Sequence, residues 1–142
     1  MDTKENTAIV LRLYEKFDQG ALNDFADSID ANFFANVLGT TTLDWEGFKN
    51  FGKAFLTAFP DGRHVFDHVV ADGENVVTIG TYQGTHRGEM QGIAPTNRPL
   101  KLSVMHLDRL KKCKIVEHRG LANEKDFMRQ LGIVLVPSQD ES

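Results

Sequence analysis

The side chains able to do chemistry are a few histidines, a tyrosine and scattered amides, set in otherwise apolar, strand-like segments. His106 alternates with Leu102, Val104, Asp108 and Leu110, which puts an imidazole at mid-strand among aliphatic neighbours. A partly buried imidazole titrates near neutral pH and can take or return a proton, although a histidine so placed is also commonly a satisfied core residue. On the preceding segment, Thr78, Gly80, Tyr82, Gly84 and His86 share one face, while Val77, Ile79, Thr81, Gln83 and Thr85 share the other. Either face is a fit interior. His64 and His68 have the spacing of a helical metal pair, but their segment reads as a strand, where four residues span about 13 Å, so no shared metal is expected. Cys113 is the only cysteine, which removes an internal disulfide and a cysteine-rich metal site from the expectation.

Composition narrows the function classes. The 16 basic and 20 acidic residues give a net charge of −4 and are scattered, so no basic surface for a nucleic-acid backbone is expected. The cluster Lys111, Lys112 and Lys114 reads as a solvated hairpin tip. No apolar run reaches the ~20 residues that span a bilayer, and the first residues are polar, so a cytoplasmic protein without membrane partners is expected. At 142 residues one domain suffices, over residues 1–136, with 137–142 as a flexible tail.

The elements that must position these groups follow from periodicity. Ile9, Val10, Leu13 and Phe17 recur at helical spacing and Gly20 stops the run, which predicts a helix over 3–19. A shorter helix over 22–30 carries Leu22, Phe25, Ala26 and Ile29, and an extended stretch follows at 33–37. Phe48, Phe51, Phe55, Leu56 and Phe59 predict a third helix, started by Asp44 and Glu46 and ended by Pro60-Asp61-Gly62. From His64 the period becomes two: strands over 64–70, 75–85, 100–110 and 115–121, turns at Asp72-Gly73 and 111–113, a loop over 87–98 and a last helix over 124–131. Helices first and long antiparallel strands afterwards predict an α+β domain with helices over one face of a curved sheet. A small-molecule pocket can form between the two.

Five segments, in order, then suggest a family. They are Ala58-Phe59-Pro60-Asp61, Gly84-Thr85-His86-Arg87-Gly88, Gly92-Ile93-Ala94-Pro95-Thr96-Asn97, Lys114-Ile115-Val116-Glu117-His118 and Arg129-Gln130-Leu131-Gly132. Together they resemble the SnoaL-like polyketide cyclases of the nuclear transport factor two-like superfamily. The resemblance implies a conical barrel, a strongly curved and mainly antiparallel sheet over three N-terminal helices, with a short C-terminal helix. It also implies a homodimer through the outer sheet face, no cofactor, no metal, and a small hydrophobic or aromatic carbonyl compound as ligand. The implied reaction is an intramolecular aldol closure, which needs a base beside a carbonyl and donors for the developing oxyanion.

On that resemblance, His106 and His86 are the candidate catalytic groups, the Tyr82 and His86 face of its strand is chosen as interior, and Asn36, Phe55, Phe59, Tyr82, Arg119 and Asn123 are the candidate pocket residues. One departure bears on mechanism. After Lys-Ile-Val-Glu-His the family usually places an aspartate at the second following position and another at the fifth, and these are Gly120 and Asn123 here. Neither can take a proton at neutral pH. The chain therefore uses His106, uses Glu117 turned inward, or binds without catalysis; isomerase or hydrolase chemistry in the same pocket is a further alternative. Against these functional readings stand plain ones: Asn123 as a helix cap, Arg119 paired with Glu117, Asn36 as an edge residue, His86 as a rim residue bonded to the glycine-rich loop, and the phenylalanines as core.

Overall fold

The computed structural model describes residues 2–39 and 41–133. The tail expected over 137–142, and residues 134–136 of the expected domain, lie outside them. Helix α1, Thr3–Gln19, begins where the Asp2 side chain accepts from the Lys4 amide and ends at Gly20, whose φ of 69° closes the last turn. Its inward stripe is Ile9, Val10, Leu13, Tyr14 and Phe17. The second expected helix is instead a 3-10 segment, Leu22–Ser28, that buries only Leu22 and Phe25. Asn23, Asp24, Asp27 and Ser28 favour local side-chain hydrogen bonds over α-helix, and Ile29 already belongs to strand β1, Ile29–Val37. A short β2, Thr41–Leu43, pairs with β1 and has no counterpart in the sequence reading.

Helix α2, Trp45–Ala58, is capped by Asp44 accepting from the Gly47 amide. Phe48 is buried, whereas Phe51 and Phe55 on the same face stay half-buried, because the space they look into is not filled by protein. The strands then run as β3 (Arg63–Asp72), β4 (Asn75–Thr85), β5 (Pro99–Lys111) and β6 (Lys114–Ala122), followed by α3 (Glu124–Gln130). Lys112 and Cys113, at φ 51° and 64°, make the β5–β6 turn with both central residues left-handed, the twist that suits a two-residue hairpin. The sheet order is β2-β1-β6-β5-β4-β3, antiparallel except between β1 and β6.

This is the expected α+β architecture. Strand β3 departs from strict alternation: its pairing with β4 slips between Phe66 and His68, so His64 and Phe66 turn inward and His68 outward, its side chain 69% exposed. Gly80 permits the slip, since a Cβ there would lie 2.0 Å from the Val65 carbonyl oxygen. The core joins the α1 stripe, Phe48, Phe59 and the inward residues of β4, β5 and β6. Each such fully buried phenylalanine contributes about 1.5–3 kcal/mol. Among the described residues no helix is long and apolar enough to cross a membrane.

Candidate functional site

Register assembles the site. Across the inner face, Thr78 of β4 lies opposite His106 of β5, which lies opposite Gly120 of β6; one step along, Val76, Asp108 and His118 form the next row. Between this face and helices α1 and α2 lies a narrow cavity of about 70 Å³ that opens to solvent. Among the described residues its wall is apolar except for His64, Tyr82, His106 and His118. Leu38 and Leu121, exposed by 39% and 59%, stand at the mouth.

Behind the wall sits a buried carboxylate. Asp108 is 0% exposed and both its oxygens are used: Tyr14 Oη donates to Oδ2 at 2.6 Å, and His118 Nδ1 lies 2.7 Å from Oδ1. A carboxylate only accepts, so the bond to His118 carries a proton on Nδ1. Burial, then the Asp108 charge and its hydrogen bond, push the Tyr14 hydroxyl well above its ordinary pKa, so it remains a donor. A second pair stands nearer the surface, where His64 Nδ1 and the His64 backbone amide meet the two oxygens of Asp18, each at 2.7 Å.

His106 lies between the two pairs, its ring centroid 5.5 Å from that of His64 and 5.6 Å from that of His118. Its Nδ1 is 3.2 Å from the Thr78 hydroxyl. Burial, then the neighbouring His118 and His64, push its pKa well below the usual imidazole value, so it is neutral at pH 7. Tyr82 is driven well above the ordinary phenol value by burial first and then by the Asp18 and Asp61 charges, so it too stays protonated.

Of the residues singled out from sequence, His106, Tyr82 and Phe55 line the cavity. The other five do not. His86 is fully buried behind Phe59, its ring 5.5 Å away; the Thr96 amide donates to Nδ1, which leaves the proton on an Nε2 without a partner. It pins the glycine-rich loop, close to the plain reading. Phe59 packs in the core against Tyr82, His86 and Phe127. Asn36 alternates with the buried Ala35 and Val37, which turns it to the outer face opposite Arg119. Arg119 projects outward and binds Glu117, which Arg109 also holds at 2.9 Å. Burial raises the Glu117 pKa, but the hydrogen bonds from Arg119 and Arg109 outweigh it and hold the carboxylate below its usual range, so Glu117 is not an inward base. Asn123 accepts from the Asp126 amide and caps α3.

Sequence reasoning passed over Tyr14, His64, Asp108 and His118 as a site. One signal was present: Asp108 lies on the Leu102, Val104, His106 and Leu110 face, and a carboxylate among aliphatic groups needs partners.

The sequence model of the SnoaL-like polyketide cyclase family matches residues 8–131. No curated protein matches the chain. Solved structures share the nuclear transport factor two-like fold. IdmH, a candidate polyketide cyclase from Streptomyces antibioticus, is 26% identical, with 90% of this chain and 99% of that one covered and a TM-score of 0.80. A candidate SnoaL-like polyketide cyclase from Jannaschia sp. CCS1 is 18% identical over 94% and 95% of the two chains, with a TM-score of 0.85. AclR, a candidate hydroxylase from Streptomyces galilaeus, is 21% identical over 92% and 98%, with a TM-score of 0.82.

Proposed function

The chain belongs to the SnoaL-like polyketide cyclase family, and on that premise we propose that it is a cyclase-type enzyme using cofactor-free acid/base chemistry. Its substrate is a small hydrophobic or aromatic carbonyl compound, and its reaction an intramolecular aldol closure. One observation supports this reading above others: among the described residues, the polar side chains on the cavity wall are three imidazoles and a phenol, with no carboxylate, lysine or arginine. Such a wall favours an uncharged ligand and supplies imidazoles that can accept a proton. IdmH, itself a candidate polyketide cyclase, agrees with it in kind.

A second reading, a small-molecule carrier, draws on Gly120 and Asn123: the first has no side chain and the second is spent on a helix cap. Exchange of the α-protons of 2-tetralone, a probe ketone, in D2O separates the two: an enzyme exchanges them faster than free imidazole does, whereas a carrier binds the ketone without accelerating exchange.

The protein works in the cytoplasm as a homodimer through the outer sheet face, where Val65 and Met105 are 42% and 48% exposed. Sedimentation as a single chain at micromolar concentration would remove the dimer.

A further inference from the structure

Gly120 and the Asp108–His118 pair form one unit. A Cβ at position 120 would stand 3.6 Å from His118 Nε2 and 3.2 Å from His106 Cδ2. Without that Cβ, His118 Nε2 borders the cavity on a ring that Asp108 holds by its other nitrogen. The His118 and Asp108 side chains are 5% and 0% exposed, so little water competes for either. Tyr14 occupies the other carboxylate oxygen and prevents Asp108 from turning away. His106 borders the same space, but its Nδ1 partner is a hydroxyl that can give or accept, so nothing fixes its tautomer.

The geometry points to His118 as the general base of the cavity, taking a proton from the carbon beside a substrate carbonyl in the space next to Gly120, with Asp108 as its positioning residue. This rests on the cyclase reading above. In the step, the C–H bond breaks, the proton goes to His118 Nε2, and the electron pair moves to the carbonyl oxygen as an enolate. The enolate carbon attacks a second carbonyl of the same molecule, a C–C bond forms, and the new alkoxide takes the proton back from His118. No electrons are gained or lost overall, and no co-reactant is consumed. Asp108, held to the His118 ring, balances the imidazolium that forms between the two transfers.

The test has two readouts on the full chain. Long-range ¹H–¹⁵N spectra of histidine-labelled protein are expected to show His118 protonated on Nδ1 and bare on Nε2, a pattern that Asp108→Asn abolishes. Exchange of the α-protons of 2-tetralone in D2O is expected to fall about 100-fold in His118→Gln and in Asp108→Asn, with affinity for the ketone retained. Wild-type exchange in His118→Gln, or an Nε2-protonated His118 in the wild type, overturns the assignment while the cyclase reading stands on His106. Wild-type exchange no faster than that of free imidazole overturns both. The tautomer is read on unsubstituted protein, so it decides the matter even if the variants do not fold.

Discussion

The molecule holds two carboxylate–imidazole pairs of nearly identical geometry in different settings. In the Asp18–His64 pair the carboxylate side chain is 17% exposed and spends one oxygen on the His64 backbone amide, so it ties the end of α1 to β3 as much as it orients a ring. His64 also borders a surface depression with Leu11, Tyr14, Glu15, Asp18 and Phe66. In the Asp108–His118 pair the carboxylate is fully enclosed and both oxygens serve side chains. Equal bond lengths of 2.7 Å therefore conceal unequal roles. A pair open to water can find new partners when one member is lost, and a closed pair cannot.

The largest expected difference is in stability. Asp108→Ala strands His118 and Tyr14 in the interior and is expected to cost about 3–5 kcal/mol in urea unfolding. Asp18→Ala, where water can replace the lost acceptor, is expected to cost about 1–2 kcal/mol. Equal losses would erase the distinction between the pairs.

Gly120→Ala sharpens the comparison from the cavity side. The added methyl would stand 3.2 Å from His106 Cδ2, so the His106 ring must shift to admit it, and stability should fall by about 1–3 kcal/mol. Affinity for 2-tetralone should fall at least about tenfold, since the methyl occupies the place the ketone needs. Unchanged affinity in a titration would put the ligand elsewhere.

The smallest expected effect is on pH dependence, and it belongs to the imidazole between the pairs. His106 has a folded pKa well below its ordinary 6.5, so below that pH the unfolded chain binds more protons than the folded one. Its contribution is neutral above pH 6.5 and destabilising as the pH falls from there. The loss of stability between about pH 7.5 and about pH 5.5 should be smaller in His106→Gln than in the wild type, as urea titrations at both values would show. An identical loss would mean that His106 is not the group whose charging is resisted.

Much of this was legible in the residues. Helical spacing and Gly20 gave both ends of α1, and the period-two runs gave β4, β5 and β6 nearly to the residue. Alternation also grouped Thr78 with Tyr82 and His106 with Asp108, while the inward face of β4 was chosen from the family resemblance, and the structure turns all four inward. What alternation cannot supply is register. Only the pairing of β5 with β6 shows that His118 faces Asp108 and that Gly120 faces His106. Parity alone argues against Arg119 in the pocket, because neighbours in a strand face opposite ways and the family's carboxylate position is the next one, Gly120. The slip in β3 was hidden for the same reason: it follows from the close approach of two backbones at Gly80, not from any residue of β3 itself.

The account depends on a flat carbonyl compound resting against His118 beside Gly120. A crystal structure with 2-naphthol, a planar stand-in for the enol of 2-tetralone, tests this most directly. The expected result is the ring in the cavity with its hydroxyl oxygen about 3 Å from His118 Nε2, and His118 Nδ1 still on Asp108. A naphthol bound outside the cavity, with His118 Nε2 bonded to another group of the protein, would contradict it.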